Sequence, residues 1–522
     1  MSILLFLGIL ALFIAGYFFY GNFLSGFFGV DEKRVTPANA KYDGSDFVPA
    51  RNWLILFGHH FASIAGAGPI IGPVLAYLWW GWLGAVIWLV LGSIFMGALH
   101  DFASLFISLR EEGRSIGQIA EKYISRRTGF LFLIFLFFTL ILIIAVFAAI
   151  CADTFINEPQ VVLSSTGLIP VAILVGFLIY RLRMNLAGAT LVGIFFMVAL
   201  IFLGARFPLS LGVSDPYTLW VVLLFVYAFF ASIIPVNILL KPRDYISSFL
   251  LFFGIAVSFF GIISRPFPLE GAKLVSFNAE AGPLFPVMFI TLACGAISGF
   301  HSLVASGTTS KQLANEKDAK KIGYGAMILE GVLATIVLFC VAFALGAIPE
   351  GKTETEIFSL GFSKVCYFMG DYAKFVALVI LNSFILTTLD TATRIARFIM
   401  QELFQLKNKW LATAIIVTIA AYLALAKKWQ IIWPLFGAAN QLVAGLTLIV
   451  VSGWLFCKGK KYYIAFIPAL IMIFITLSAL ILKLINFYQK ENFLLCAIAA
   501  VLIVLGSFAL FEFRRVVKCR VK

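Results

Sequence analysis

Charge is scarce in this sequence: 12% of its 522 residues are Asp, Glu, Lys or Arg, against 62% hydrophobic, and the mean hydropathy is +1.04. No soluble core hides so much apolar surface, so the shortage excludes an ordinary soluble globular protein. Cysteine is thinly spread. The seven (Cys151, Cys294, Cys340, Cys366, Cys457, Cys496 and Cys519) show no CxxC spacing and no Cys/His cluster, which removes a disulfide framework or a zinc site and leaves isolated thiols. Long polar stretches are missing too. The sizeable ones, 30 to 51, 265 to 284 and 349 to 371, are too short to fold as a nucleotide-binding domain, which argues against an ATP-driven pump in this chain. Met1 to Tyr20 has no basic leader and no small-residue cleavage site, and reads as a retained first helix.

What is abundant is apolar sequence in runs of about 17 to 25 residues, the length that crosses a bilayer as a helix. About fifteen spans are expected, near residues 2–29, 52–76, 79–109, 129–152, 161–180, 186–205, 218–240, 246–264, 285–307, 323–348, 372–393, 410–426, 430–453, 462–483 and 491–513. The chain is therefore an all-α polytopic membrane protein. The net charge of +14 comes from short loops, such as Arg110 to Arg127, Lys241/Arg243, Lys311 to Lys321 and Lys458 to Lys461. With fifteen spans every basic loop falls on one side, which the positive-inside rule makes cytoplasmic, giving N-terminus out and C-terminus in. That pattern implies the lipid bilayer as partner and no nucleic acid. Arg114 to Arg127 places Ile116, Ile119, Tyr123 and Ile124 on one helical face and is expected to lie flat on the inner leaflet or to be a solvated loop helix.

Polar groups and helix breakers within the spans mark candidate sites, because lipid offers no hydrogen-bond partner. In GHHFASIAGAGPIIGP, 58 to 73, Gly66, Gly68, Pro69 and Pro73 disfavour a continuous helix. Unwinding near Ala65 to Gly68 frees carbonyls for a cation and turns half-helix amides toward an anion, and His59, His60, Ser63, Gly66 and Gly68 are the substrate-binding candidates of this stretch. Close helix packing through small residues is the other reading. His59 and His60 stand about 100° apart on a helix and cannot share one ligand. Asp101, after His100, needs a partner or a proton, and is an ion-coupling candidate or a structural pair. Ala231 to Asn237 puts Pro235 in a span, either a second helix break five spans after the first or a simple kink. From Thr291 to Ser310, Gly295, Ser298 and Ser302 share one helical face with His301 beside it, while Ser306, Thr308 and Thr309 gather hydroxyls at the inner end. Hydroxyls suit Na⁺ and histidine suits H⁺, while serines bonded to their own helix need neither. Glu330 is a relay or interfacial carboxylate, and Asp390 is explained by a local ion pair with Arg394.

These same stretches resemble the carbon starvation protein A (CstA) family of membrane transporters: GHHFASIAGAGPIIGPVLA (58–76), DFASLFISLR (101–110), ASIIPVNILLKPRDY (231–245), FPVMFITLACGAISGFHSLVASGTTSKQLANE (285–316), IGYGAMILE (322–330), FILTTLDTATRIARF (384–398) and WPLFGAANQL (433–442). The resemblance implies uptake of short peptides or pyruvate across a bacterial inner membrane under nutrient stress. It also implies kinship with the amino acid-polyamine-organocation transporters and their LeuT-like inverted five-helix repeat with broken helices. Halves at 52–205 and 218–400 would follow, with an extra first helix at 1–30 and four more helices in 410–522. The chain departs from the family in carrying His100 before Asp101, and in being short. The function expected is a secondary active transporter with H⁺ or Na⁺ as coupling ion and no other cofactor. A passive channel is the alternative, and a membrane-embedded enzyme is the weakest reading, because its His, Asp and Ser residues are unlinked in sequence. Oligomeric state is not encoded in any of these features.

Overall fold

The computed structural model describes residues 2–521 except 45, 237, 270, 346, 347, 427 and 428, and describes their side chains except those of 431, 494, 509 and 513–521. Apart from a two-residue hairpin pairing Asn278–Ala279 with Gly282–Pro283, the described residues are helices and their connections. In chain order the principal helices are α1 (Ser2–Phe28), α2 (Trp53–Ile64), α3 (Gly68–Trp80), α4 (Trp82–Arg110), α5 (Ile116–Tyr123) and α6 (Arg126–Asn157). There follow α7 (Gln160–Arg181), α8 (Leu186–Arg206), α9 (Pro216–Ile233), α10 (Leu240–Ser264), α11 (Gly299–Gly307) and α12 (Glu316–Ala344). The remainder are α13 (Glu354–Val365), α14 (Tyr372–Phe404), α15 (Lys409–Ala424), α16 (Trp429–Cys457), α17 (Tyr463–Gln489) and α18 (Phe493–Val521).

Twelve helices among the described residues are long and apolar enough to cross a membrane, and the pair α2–α3, bent by 42°, makes a thirteenth when taken as one span. The protein is a multi-pass membrane protein. Two of the fifteen expected runs differ. Lys409–Ala424 has 16 residues, and 285–307 is not one helix but the short pieces Phe289–Thr291 and Ala293–Ala296 followed by α11. α14 and α16 are buried along their apolar lengths and form the centre, α14 lying along α6. At 1.5 Å per residue the 33 residues of α14 span about 50 Å, more than the ~30 Å of hydrocarbon, so it carries side chains well past one membrane face.

Local sequence explains the ends. α2 starts on Asn52, whose side chain accepts from Leu54 N, and stops where Ala65 leaves helical backbone (φ −76°, ψ 72°). Pro69 opens α3, where a missing amide costs nothing. The second expected break does not lie inside a helix. α9 ends at Ile233, Pro235 sits in the connection, and α10 begins at Leu240, so the ring ends one helix rather than splitting it. Asn237 lies outside the described residues. Lys241 and Arg243, expected in a basic loop, occupy the first turn of α10 and are buried by protein.

α5 departs from its expected place on the leaflet. Ile116, Ile119 and Tyr123 are buried against neighbouring helices, α6 foremost, and a Cβ on Gly117 would lie 2.4 Å from Leu133. Ser115 caps it with Gln118 in a reciprocal capping box. The string Gly113-Arg-Ser-Ile-Gly117 is thus a helix start, not a nucleophile elbow after a strand. Likewise Gly346 to Thr353 spells a phosphate-loop consensus, yet α12 precedes it where a strand is required, and Thr353 caps α13 with Glu356. Among the described cysteines none is in a disulfide, and the Cys519 side chain lies outside the described residues.

Glu111 fastens α5 to the bundle: Lys122 Nζ and Tyr123 OH each donate to it at 2.5 Å and Trp454 Nε1 at 3.1 Å. Burial raises the carboxyl, but these donors outweigh it and hold Glu111 below its ordinary value. A depressed carboxyl stabilises above its unfolded pKa and loses that contribution as pH falls through the folded one. Amide exchange of 116–123, normalised to the intrinsic rate at each pH, should therefore accelerate in acid. Glu111→Gln should accelerate it at neutral pH, by loss of charge-assisted bonds worth roughly 1.5–3 kcal/mol each, and remove the acid response.

Candidate functional site

The two broken segments face each other. A Cβ on Gly68 would lie 2.3 Å from the Cys294 side chain, one on Gly72 would lie 2.8 Å from the Thr291 carbonyl, and one on Gly97 would lie 2.3 Å from the Ala296 carbonyl. Only glycine permits that approach, so the partner of the α2–α3 break is the segment 289–298, not Pro235. At this junction the α2 carbonyls are taken up by α14. Thr387 Oγ1 donates to Ala62 O at 2.9 Å and Thr388 Oγ1 to Ser63 O at 3.3 Å.

Two largely buried polar clusters flank α2. In the first, His100 Nδ1 and His301 Nδ1 lie 2.7 Å from the two oxygens of Asp101, while His301 Nε2 lies 3.2 Å from Glu330 Oε2 without hydrogen-bond alignment. The cluster joins α4, α11 and α12. An ionised Asp101 requires an Nδ1–H donor from each ring, and in that tautomer the His301 Nε2 lone pair faces Glu330. If Glu330 were also ionised, two electron-rich groups would face each other without water. A proton placed between them removes the repulsion.

In the second, His59 Nδ1 lies 2.7 Å from Asp244 Oδ2, which also accepts from Ser63 Oγ at 3.2 Å. Arg243 Nη1 lies 2.6 Å from Asp390 Oδ2, and Tyr227 OH donates to the same oxygen at 2.8 Å. Asp390 thus pairs across the bundle with α10, whereas Arg394 donates to the carbonyls of Ala231 and Ile234 at the end of α9. The expected local Asp390–Arg394 pair is not formed. His60 turns the other way, its Nδ1 2.9 Å from Thr309 Oγ1. Adjacent histidines thus serve separate partners, as their angular offset requires.

Gly295, Ser298 and Ser302 do not share one helical face, because Ile297 and Ser298 are extended and interrupt the helix. Ser298 Oγ donates to Asn440 Oδ1 at 3.2 Å, Asn440 Oδ1 accepts Phe300 N at 2.9 Å, and Ser302 Oγ lies 3.1 Å from Thr447 Oγ1. These contacts turn Ser298 and Ser302 to α16, away from His301. Ser306 Oγ donates to Ser302 O at 2.7 Å and accepts from Ile116 N at 3.2 Å, and Thr308 Oγ1 donates to Val304 O at 2.9 Å. Among the described residues no group of three His, Cys, Asp or Glu side chains is disposed to hold a metal.

Residues 1–348 and 347–479 match the family model described as carbon starvation protein CstA. The chain belongs to the CstA family. Among CstA relatives, the peptide transporter CstA of Campylobacter jejuni is 33% identical, aligned over 94% of this chain and 81% of its own. The peptide transporter CstA of Escherichia coli K12 is 33% identical over 90% of this chain and 79% of its own. The pyruvate/proton symporter BtsT of Escherichia coli K12 is 31% identical over 89% and 79%. A solved manganese transporter of Eremococcus coleocola aligns over 91% of this chain and 99% of its own at 12% identity and a TM-score of 0.49, a likeness too low to carry fold or cargo across.

Within this CstA-family chain the structure brings Asp101 to His301, His60 to Thr309, and Ser63 to His59 through Asp244. It sends Ser298 and Ser302 to α16, Ser306 to α5 and Pro235 to a connection. Asp244, Arg243, Tyr227, Asn440, Thr387 and Thr388 were not anticipated, although all but Tyr227 sit inside the stretches that resemble the family. Arg243→Ala should leave Asp390 and Asp244 buried without their cation and cost about 3–5 kcal/mol. A double replacement, Arg243→Met with Asp390→Leu, should recover much of that, read as thermal unfolding in detergent.

Proposed function

We propose that this protein is a secondary active transporter of a bacterial inner membrane, importing a small carboxylate-bearing nutrient with protons by alternating access. The names of its relatives support the substrate class, short peptides first and pyruvate second. The observation that carries proton coupling is the approach of His301 Nε2 to Glu330, a buried place for one exchangeable proton. It lies on the broken helix itself, so movement of α11 against α4 and α12 changes the proton's surroundings and the substrate path together. Sodium is the second reading, through the carbonyls of Ala62 and Ala65 and the hydroxyls of Ser306, Thr308 and Thr309. It is less favoured because Ala62 O already accepts from Thr387, and Ser306 and Thr308 are bonded to their own helix.

The architecture that goes with this function has about fifteen crossings, N-terminus out and C-terminus in. It counts α15 and the broken 285–307 stretch as spans. Its inverted halves are 52–205 and 218–400, flanked by an added first helix and four C-terminal ones, within the amino acid-polyamine-organocation superfamily. The segment 289–298, rather than Pro235, serves as the break of the second half. The half-helix amides at Ala67 and Gly68 are the natural seat for a substrate carboxylate. A channel would equilibrate solute without accumulating it.

Labelled dipeptide and labelled pyruvate should be offered to proteoliposomes under separately imposed proton and sodium gradients. Accumulation under the proton gradient alone is expected, abolished by His301→Ala and retained in Ser306→Ala and Thr309→Ala. Accumulation driven by sodium and lost in the hydroxyl variants would reverse the coupling. Equilibration without accumulation would make the protein a channel.

A further inference from the structure

A cavity of about 240 Å³ opens beside the C-terminal end of α11, enclosed by α5, α6 and α14. Its walls are mixed, with Leu133, Leu303 and Ile395 on the apolar side, Ser115, Gln118 and Ser306 among the polar groups, and two opposite charges, Lys311 and Glu402. Neither charge has an ion-pair partner within 4 Å among the described residues. The Lys311 ammonium instead sits 5.6 Å from the ring centroid of Phe47 and 5.1 Å from that of Phe398, with Asp46, Glu402 and Asp43 acting only at longer range. Glu402 Oε2 accepts a long bond of 3.4 Å from Ser115 Oγ, and the Gln118 side chain is a second polar neighbour of the carboxylate.

Lys311 and Glu402 are partly shielded from bulk water, and a cation and a carboxylate that lack ion-pair partners both gain there from a counter-charge. They belong to different elements, the turn after α11 and the end of α14, and the cavity lies between them. A ligand carrying only a carboxylate pairs with Lys311 and leaves Glu402 unmet, and a ligand carrying only an amine does the reverse. A ligand with both charges and an apolar body meets every wall. The volume lies below the ~300–1,000 Å³ of drug-sized pockets, which limits that ligand to an amino acid or a very short peptide.

We propose that this cavity is a binding site for a small zwitterion, its carboxylate at Lys311, its ammonium at Glu402 and its apolar side chain against Leu133 and Ile395. Its role as a substrate site on the basic side of the membrane rests on the transport reading above. The site lies at the far end of the broken helix from the Ser298 turn, where a solute leaving the α2–α3 break along α11 would next be held. It would favour peptides and amino acids over pyruvate, which supplies one of the two charges.

Calorimetry on the purified full chain in nanodiscs tests this, titrating leucine, alanyl-leucine, N-acetyl-leucine, leucinamide and pyruvate. Leucine or alanyl-leucine should bind, and whichever does identifies the source of the zwitterion. Blocking either terminus should weaken binding about 10- to 100-fold. Lys311→Gln should erase discrimination against leucinamide alone, and Glu402→Gln that against N-acetyl-leucine alone, a crossed pattern that a general loss of folding cannot produce. The proposal is overturned if neither zwitterion binds, if pyruvate binds as tightly, or if both variants discriminate as the unaltered protein does. Crossed binding without proton-driven uptake would sink the transport reading and keep this site. Proton-driven uptake with no crossed pattern would do the opposite.

Discussion

A charge held away from water needs another charge or a proton beside it, and the interior of this bundle is arranged by that requirement. His301 is where it is most demanding. One ring nitrogen is committed to Asp101 and the other is brought to 3.2 Å from Glu330, so three helices meet around a single imidazole. Remove the imidazole and two buried carboxyl groups remain, with His100 alone still at hydrogen-bond distance from Asp101.

The rest of the core follows from getting His301 there. The chain must give up regular helix at Ile297 and Ser298, and the Phe300 amide and Ser298 hydroxyl so exposed are met by Asn440. Facing it, α2 ends at Ile64, with Thr387 and Thr388 receiving the carbonyls that the unwound turn releases. Glycines at 68, 72 and 97 bring the two interrupted segments to backbone distance. Each departure from ideal helix is thus paired with a specific donor or acceptor from a neighbour, which is the condition for irregular backbone at membrane depth.

Most of the fold was legible because a bilayer imposes one length and one composition on every crossing, and the expected runs overlap the observed helices except at 285–307, the short Lys409–Ala424, and the junction where α9 stops at Ile233 and α10 starts at Leu240. The bend after Ile64 was legible for the same reason, since Gly66, Gly68 and Pro69 have few other uses in lipid. Pairing was not. Asp390 and Arg394 have the spacing of a helical ion pair, yet Arg243 from α10 is nearer to Asp390, and spacing along one helix says nothing of a cation arriving from another. Lys241 and Arg243 looked like loop because basic residues usually end a span. Here Leu240 starts the next helix early and carries them inward. The apolar face of α5 likewise fits a membrane surface and a protein surface equally well, and only the packing of Leu133 against Gly117 decides it. Pro235 and the serines after Thr291 fail in opposite directions: one breaker closes a helix between two spans, while Ile297 and Ser298 interrupt the stretch from Thr291 to Ser310, which contains no proline.

The central claim is that the Glu330–His301 contact carries the proton that moves with substrate. It is tested most directly by loading proteoliposomes with a pH indicator, imposing no gradient of ions, and adding dipeptide outside. Downhill entry of dipeptide should acidify the lumen with the unaltered protein. With Glu330→Gln, dipeptide exchange should persist while the acidification disappears. Acidification that survives in Glu330→Gln, or that is absent from the unaltered protein while dipeptide enters, would contradict the account.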